Sequence, residues 1–170
     1  MRRTKTEIKQ ATGFLAGTAI DYNGDRTFFA NDIAQGDGPS QRVGNQLWAS
    51  RFVAKGYLER STQGIDAGGL VHVDYVRLML VLFRGPSEDF EIGDILNTVG
   101  SNRAPFSFRE LSEASLYRVL YSHLFKLTHD RPQITFMINK KILRKFRYST
   151  QGQEPVDYTL ALVYISSQAR

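Results

Sequence analysis

Residues 71–84 read VHVDYVRLMLVLFR, and the pattern changes partway along them. The first half alternates with period two, as a strand with one wet face does. From Leu78 to Phe83 every side chain is apolar, which requires a strand covered on both faces. Such a strand belongs in the middle of a two-layer β-sandwich. The apolar run LMLVLF is also far too short to cross a membrane as a helix.

Strand signals continue on both sides of this stretch, and long helical periodicity is nearly absent. The patterns predict strands at 13–22, 27–30, 46–59, 71–84, 116–127, 133–139, 141–148 and 157–165. Asn23-Gly24-Asp25 and the loop QGDGPSQRVGN, 35–45, carry turn chemistry. In 46–59, Trp48, Ser50, Phe52, Ala54 and Leu58 fall on one side, with Arg51, Lys55 and Glu59 on the other. In 116–127, Tyr117, Val119, Tyr121, His123, Phe125 and Leu127 share a face. Ser87 is placed to cap a short helix carrying Glu88 and Asp89 in its first turn. Eight strands with long loops and no alternating helices predict an all-β, antiparallel jelly-roll sandwich.

The chain has 170 residues, one domain's worth, and 42% of them are hydrophobic, enough for a real core. It has no cysteine, which excludes disulfides, thiolate metal sites and cysteine nucleophiles. The opening MRRTKTEIKQATGFLAGTAID is positive at its start, but Thr and Gly interrupt the apolar residues beyond it, so no signal peptide is expected there. Charge is uneven. Residues 1–60 hold nine basic and six acidic side chains, residues 61–115 four and eight, and residues 116–170 nine and three. A basic last third beside an acidic middle implies two differently charged surfaces.

The basic side chains concentrate in KKILRKFRYST, 140–150. As a strand, this places Lys141, Leu143, Lys145 and Arg147 on one face and Ile142, Arg144, Phe146 and Tyr148 on the other. One face is then cationic and the other can pack. Residues 1–12 form a short basic arm with Arg2, Arg3, Lys5 and Lys9, and residues 13–170 form the folded domain. A basic arm with a basic strand face is what sequence-independent phosphate binding needs. The predicted contacts are Arg2, Arg3, Lys5, Lys9, Lys140, Lys141, Arg144, Lys145 and Arg147. Trp48 and Tyr148 have the chemistry to stack on bases, although a place in the core or on the sheet surface is the plainer reading of both.

Catalytic patterns are sparse. There is no G-x-S-x-G elbow, P-loop or G-x-G-x-x-G, and no catalytic residue is predicted. His72-Val73-Asp74, with His123 and Arg131 further along, resembles the metal-binding arrangement of iron and 2-oxoglutarate oxygenases, with His72, Asp74 and His123 as ligands. It remains an alternative. Glu88, Asp89, Glu91 and Asp94 suggest intersubunit Ca²⁺, against the plainer reading of a solvated acidic helix end. No cofactor or metal is expected.

The ordered wording of NDIAQGDGPSQRVGNQLWASRFVAKGYL (31–58), VDYVRLMLVLFRGPSEDFEIGDILNTVG (73–100) and FRELSEASLYRVLYSHLFKLT (108–128) resembles the single jelly-roll capsid proteins of satellite tobacco necrosis virus. The coat proteins of small circular single-stranded DNA viruses share that fold group. The carrying motifs are Ile33-Ala34-Gln35-Gly36, Gln41-Arg42-Val43-Gly44, Val76-Arg77-Leu78 and Tyr117-Arg118-Val119-Leu120. The resemblance implies a viral capsid protein that forms a homo-oligomeric icosahedral shell, T=1, within the host cell. It also implies packaging of a single-stranded DNA or RNA genome by charge neutralisation, a place in the virion, and no membrane partner. A cellular β-sandwich nucleic-acid-binding module is the other alternative.

Overall fold

The two apolar faces of the 71–84 stretch meet two different covers. The computed structural model describes residues 17, 19–31, 33–36, 38, 40–60, 73–97, 99–100, 104–110, 112–149, 152 and 154–167. Among them six strands run β1 (Asp25–Phe29), β2 (Gln46–Glu59), β3 (Asp74–Phe83), β4 (Tyr117–Leu127), β5 (Gln133–Arg147) and β6 (Thr159–Ser166). β1, β6, β3 and β4 form a four-stranded antiparallel sheet in that order, and β2 pairs with β5 in a second.

Leu78, Leu80 and Leu82 of β3 point between the sheets, where they pack with Leu58, Ile138, Ile142, Phe146, Leu160 and Leu162. Met79, Val81 and Phe83 point the other way and meet Phe90, Ile92, Ile95, Leu96 and Ala104. The segment after β3 thus forms a third layer, shaped by 3₁₀ turns at Ser87–Asp89, Ile92–Asp94 and Ala104–Phe106. Burying each large apolar side chain contributes roughly 1.5–3 kcal/mol, so covering both faces of β3 and β6 dominates the fold's stability. Arg77 anchors the outer layer: its guanidinium donates to the Ser107 carbonyl at 2.6 Å and to Ser122 Oγ at 3.1 Å.

The all-β, antiparallel class is as expected, and the differences lie in strand count and parity. The expected strands 133–139 and 141–148 are one continuous β5, because nothing at Asn139-Lys140-Lys141 turns the chain. β2 pairs straight through that point, Val53 with Asn139 and Arg51 with Lys141. Of the expected first strand, residues 13–16 and 18 lie outside the described residues, and 19–22 are not strand. The expected turn comes next, with Gly24 at φ +74° and its N–H donating to the Asp21 carbonyl. Ser87 does not cap its turn with its side chain; Pro86 holds that position, while Ser87 Oγ bonds Glu154 and Asn31.

The predicted single face of β4 is split. A register irregularity between Leu80 and Val81 re-phases the pairing. Tyr121, Phe125 and Leu127 therefore pack between the sheets, whereas Tyr117 and Val119 join the outer cluster. One unmatched residue moves everything beyond it to the other face.

Candidate nucleic-acid interface

β2 and β5 form a long antiparallel ribbon whose inner face packs on β3, β4 and β6 and whose outer face is exposed. In β5 the alternation is clean: Ile134, Phe136, Ile138, Ile142 and Phe146 turn inward, while Thr135, Met137, Asn139, Lys141, Leu143, Lys145 and Arg147 are exposed. β2 alternates too, but its phase reverses midway. Register shifts by one residue between Ala49 and Arg51, where the opposing Leu143 takes a left-handed φ of +49°. Trp48 and Arg51 are therefore both exposed, three positions apart on one strand.

This reversal corrects the expected side of Trp48. It is 63% exposed, directly opposite Lys145, and shares its face with Arg51, Lys55 and Glu59. Tyr148 is the aromatic that is buried. The outer face carries five cations, Arg51, Lys55, Lys141, Lys145 and Arg147, and one carboxylate, Glu59 at its far end. Arg51 sits directly opposite Lys141, a like-charge juxtaposition that costs stability in the free protein. Bare apolar groups lie among the cations: Val53, Tyr57, Met137 and Leu143 are all more than half exposed.

The predicted contacts divide into three groups. Lys141 and Lys145 stand on the outer face as expected. Arg147 is there too, but its Nε donates to Asp157 Oδ2 at 3.0 Å, so part of its charge is already matched. Lys140 and Arg144 have the opposite parity. Lys140 Nζ lies 5.7 Å from the Tyr121 ring centroid and the Arg144 guanidinium carbon 4.9 Å from that of Tyr158. Arg2, Arg3, Lys5 and Lys9 lie outside the described residues. Arg51 and Lys55 are the cations that the 140–147 run did not reveal. Their signal was the register of a strand far away in sequence.

Beside the C-terminal end of β5 a recess of about 370 Å³ opens. It is lined by Gln46, Trp48, Leu143, Arg144, Lys145, Arg147, Asp157 and Tyr158. Arg144 Nε is buried there without a hydrogen-bond partner among the described residues. Asp157, the one carboxylate among the described residues of the wall, is occupied by Arg147 through both its backbone N–H and its Nε.

Of the residues named for an iron site, Asp74 and His123 do not converge. His72 lies outside the described residues. Asp74 is buried and accepts from Ser166 Oγ at 2.8 Å and Ser167 Oγ at 3.1 Å. It pairs with Leu127, four positions along β4 from His123, a separation of ~13 Å at strand rise. In the acidic segment Asp94 Oδ2 accepts the Glu91 N–H, as a turn cap does. Among the described residues no three His, Asp or Glu side chains are grouped to hold a metal ion.

Compared with protein-family models and with curated proteins, the chain matches none of either.

Proposed function

We propose that this chain is a viral coat protein that assembles into a small closed shell, T=1 in the simplest case, and encloses a single-stranded genome by neutralising its phosphates. The observation that carries the reading is the exposed outer face of β2 and β5. Five cations surround apolar and aromatic groups there, and the Arg51–Lys141 juxtaposition is relieved when anions come between the two. Phosphates do this without base readout.

The jelly-roll part of the reading is supported by how the strands nest. β1 pairs with β6, β2 with β5 and β3 with β4, the order obtained by rolling up one long antiparallel hairpin. A fourth pair would fall between β3 and β4, where the isolated antiparallel bridge Leu96–Arg109 lies. The resemblance of its motifs to those of satellite virus coat proteins is in keeping with this reading. Shell formation gives the long loops a use as contacts between copies.

Negative-stain microscopy of the purified protein, with its 260/280 nm absorbance ratio, tests this. Uniform closed shells with a high ratio are expected. Empty shells would keep the coat reading and remove genome binding by this chain alone. Monomers over a range of salt and pH would overturn the coat reading in favour of a β-sandwich module that binds nucleic acid alone.

A further inference from the structure

We infer that the recess beside Trp48 is a seat for one unpaired nucleotide of a single-stranded nucleic acid, its base on the Trp48 indole and its phosphate toward Arg144, Lys145 and Arg147. The inference rests on the nucleic-acid-binding part of the reading above and adds to it a place and a strandedness.

Several independent features converge on this recess. Its volume of about 370 Å³ lies within the roughly 300–1,000 Å³ of small-molecule sites, at the lower end that suits one nucleotide. Trp48, a large apolar ring 63% exposed in the free protein, offers a π-face at the mouth. Stacking on such a face accepts any base, because every base has a π-face of its own. Lys145 is its cross-strand partner, so the cation and the ring are placed together by the strand register.

Arg144 supplies the most specific hint. Its guanidinium is held over the Tyr158 ring, and its Nε is a buried donor without an acceptor among the described residues. Other parts of the Arg144 side chain line the recess, where a guanidinium donates to a phosphate oxygen with charge assistance. Asp157 does not repel the phosphate as a free carboxylate would, since Arg147 already holds it. Duplex DNA has no free base to stack, so the site selects single strands.

Trp48 is the protein's single tryptophan, which makes its emission a direct reporter. The full chain is titrated with unlabelled oligo(dT) and with the matching duplex while Trp emission is recorded. Binding itself is measured in parallel by the anisotropy of fluorescein-labelled versions. The expected result is quenching by the single strand, tracking its anisotropy, with the duplex binding but not quenching. Trp48→Ala should weaken single-strand affinity by roughly 5- to 150-fold, the weight of one stacked base, and Trp48→Phe should recover part of it. A rise in anisotropy with unchanged emission would overturn the seat while leaving nucleic-acid binding intact. Equal quenching by single strand and duplex would overturn the strandedness. No change in either signal would overturn both the seat and the binding function it rests on.

Discussion

The Arg42 guanidinium lies over the ring of Tyr148, 4.2 Å from its centroid, and both side chains are buried. Arg42 donates to the carbonyls of Ile33, Gly44 and Gly152, and its own backbone N–H and carbonyl bond Ala34 and Gly36. One cation thus ties the 33–45 loop to residue 152, next to the end of β5. Fork geometry makes this a task for arginine rather than lysine.

Arg42→Ala should therefore destabilise the fold by about 3 kcal/mol, because it leaves several carbonyls unpaired at once. Arg42→Lys should recover less than half of that. Urea midpoints at constant m-value measure both, and an alanine variant within about 0.5 kcal/mol of wild type, the usual range for surface changes, would show that the clamp is not structural.

Tyr148 predicts an alkaline transition. Burial pushes its hydroxyl up from 10.0 to about 12, with the Arg42 charge opposing and Asp157 reinforcing the rise. Between those pH values the unfolded chain has lost the phenolic proton and the folded chain keeps it. The folded state then binds more protons, so stability falls as pH rises, by up to ~1.4 kcal/mol per pH unit. Tyr148→Phe should lack this part of the loss. Below the ordinary tyrosine pKa it should be weaker by about 1 kcal/mol, having lost the hydrogen bond to the Ala30 carbonyl at 2.7 Å. Parallel slopes for the two proteins across the window from 10.0 to about 12 would contradict the assignment.

Phe90 holds the outer layer on the sheet. It is fully buried and meets Phe83 and Phe28 edge to face at 5.4 and 5.8 Å. Phe90→Ala should cost roughly 3–5 kcal/mol, read as a fall in melting temperature of roughly 10 °C or more.

Arg51 and Lys141 should trade stability against binding. Lys141→Gln removes one member of a like-charge pair, so the free protein should gain a few tenths of a kcal/mol at low salt. The same change should lower the salt slope of single-strand binding by about 0.7. Thermal melts and affinity at several salt concentrations check the two halves separately, and an unchanged slope would remove Lys141 from the interface.

Leu143 carries the strain of the ribbon's irregularity. Its left-handed backbone is unfavourable for a residue with a Cβ by roughly 1–2 kcal/mol. The side chain is 58% exposed, so little packing is lost on replacement. Leu143→Asn should stabilise by about 1 kcal/mol, and Leu143→Val should destabilise, β-branching being the worst choice there. Urea titration should give opposite signs; the same sign would mean that the position relaxes.

Where solvent and core alternate without interruption, the sequence can be read directly. The limits of β2, both sides of β5 and the doubly covered β3 were legible because a period of two reports burial locally. Arg42 and Arg77 were visible only as letters in motifs. Their carbonyl partners lie on other segments, and no local pattern announces them.

An all-β chain with a strongly basic late strand is written in the amino-acid order, since apolar and charged side chains sort by side within each strand. Which charges and rings share a surface follows from strand pairing instead. Pairing with β2 merged two expected strands into β5, and a one-residue shift carried Trp48 out of the core to face Lys145. Such a shift is a property of two strands held in register, so neither strand's pattern contains it.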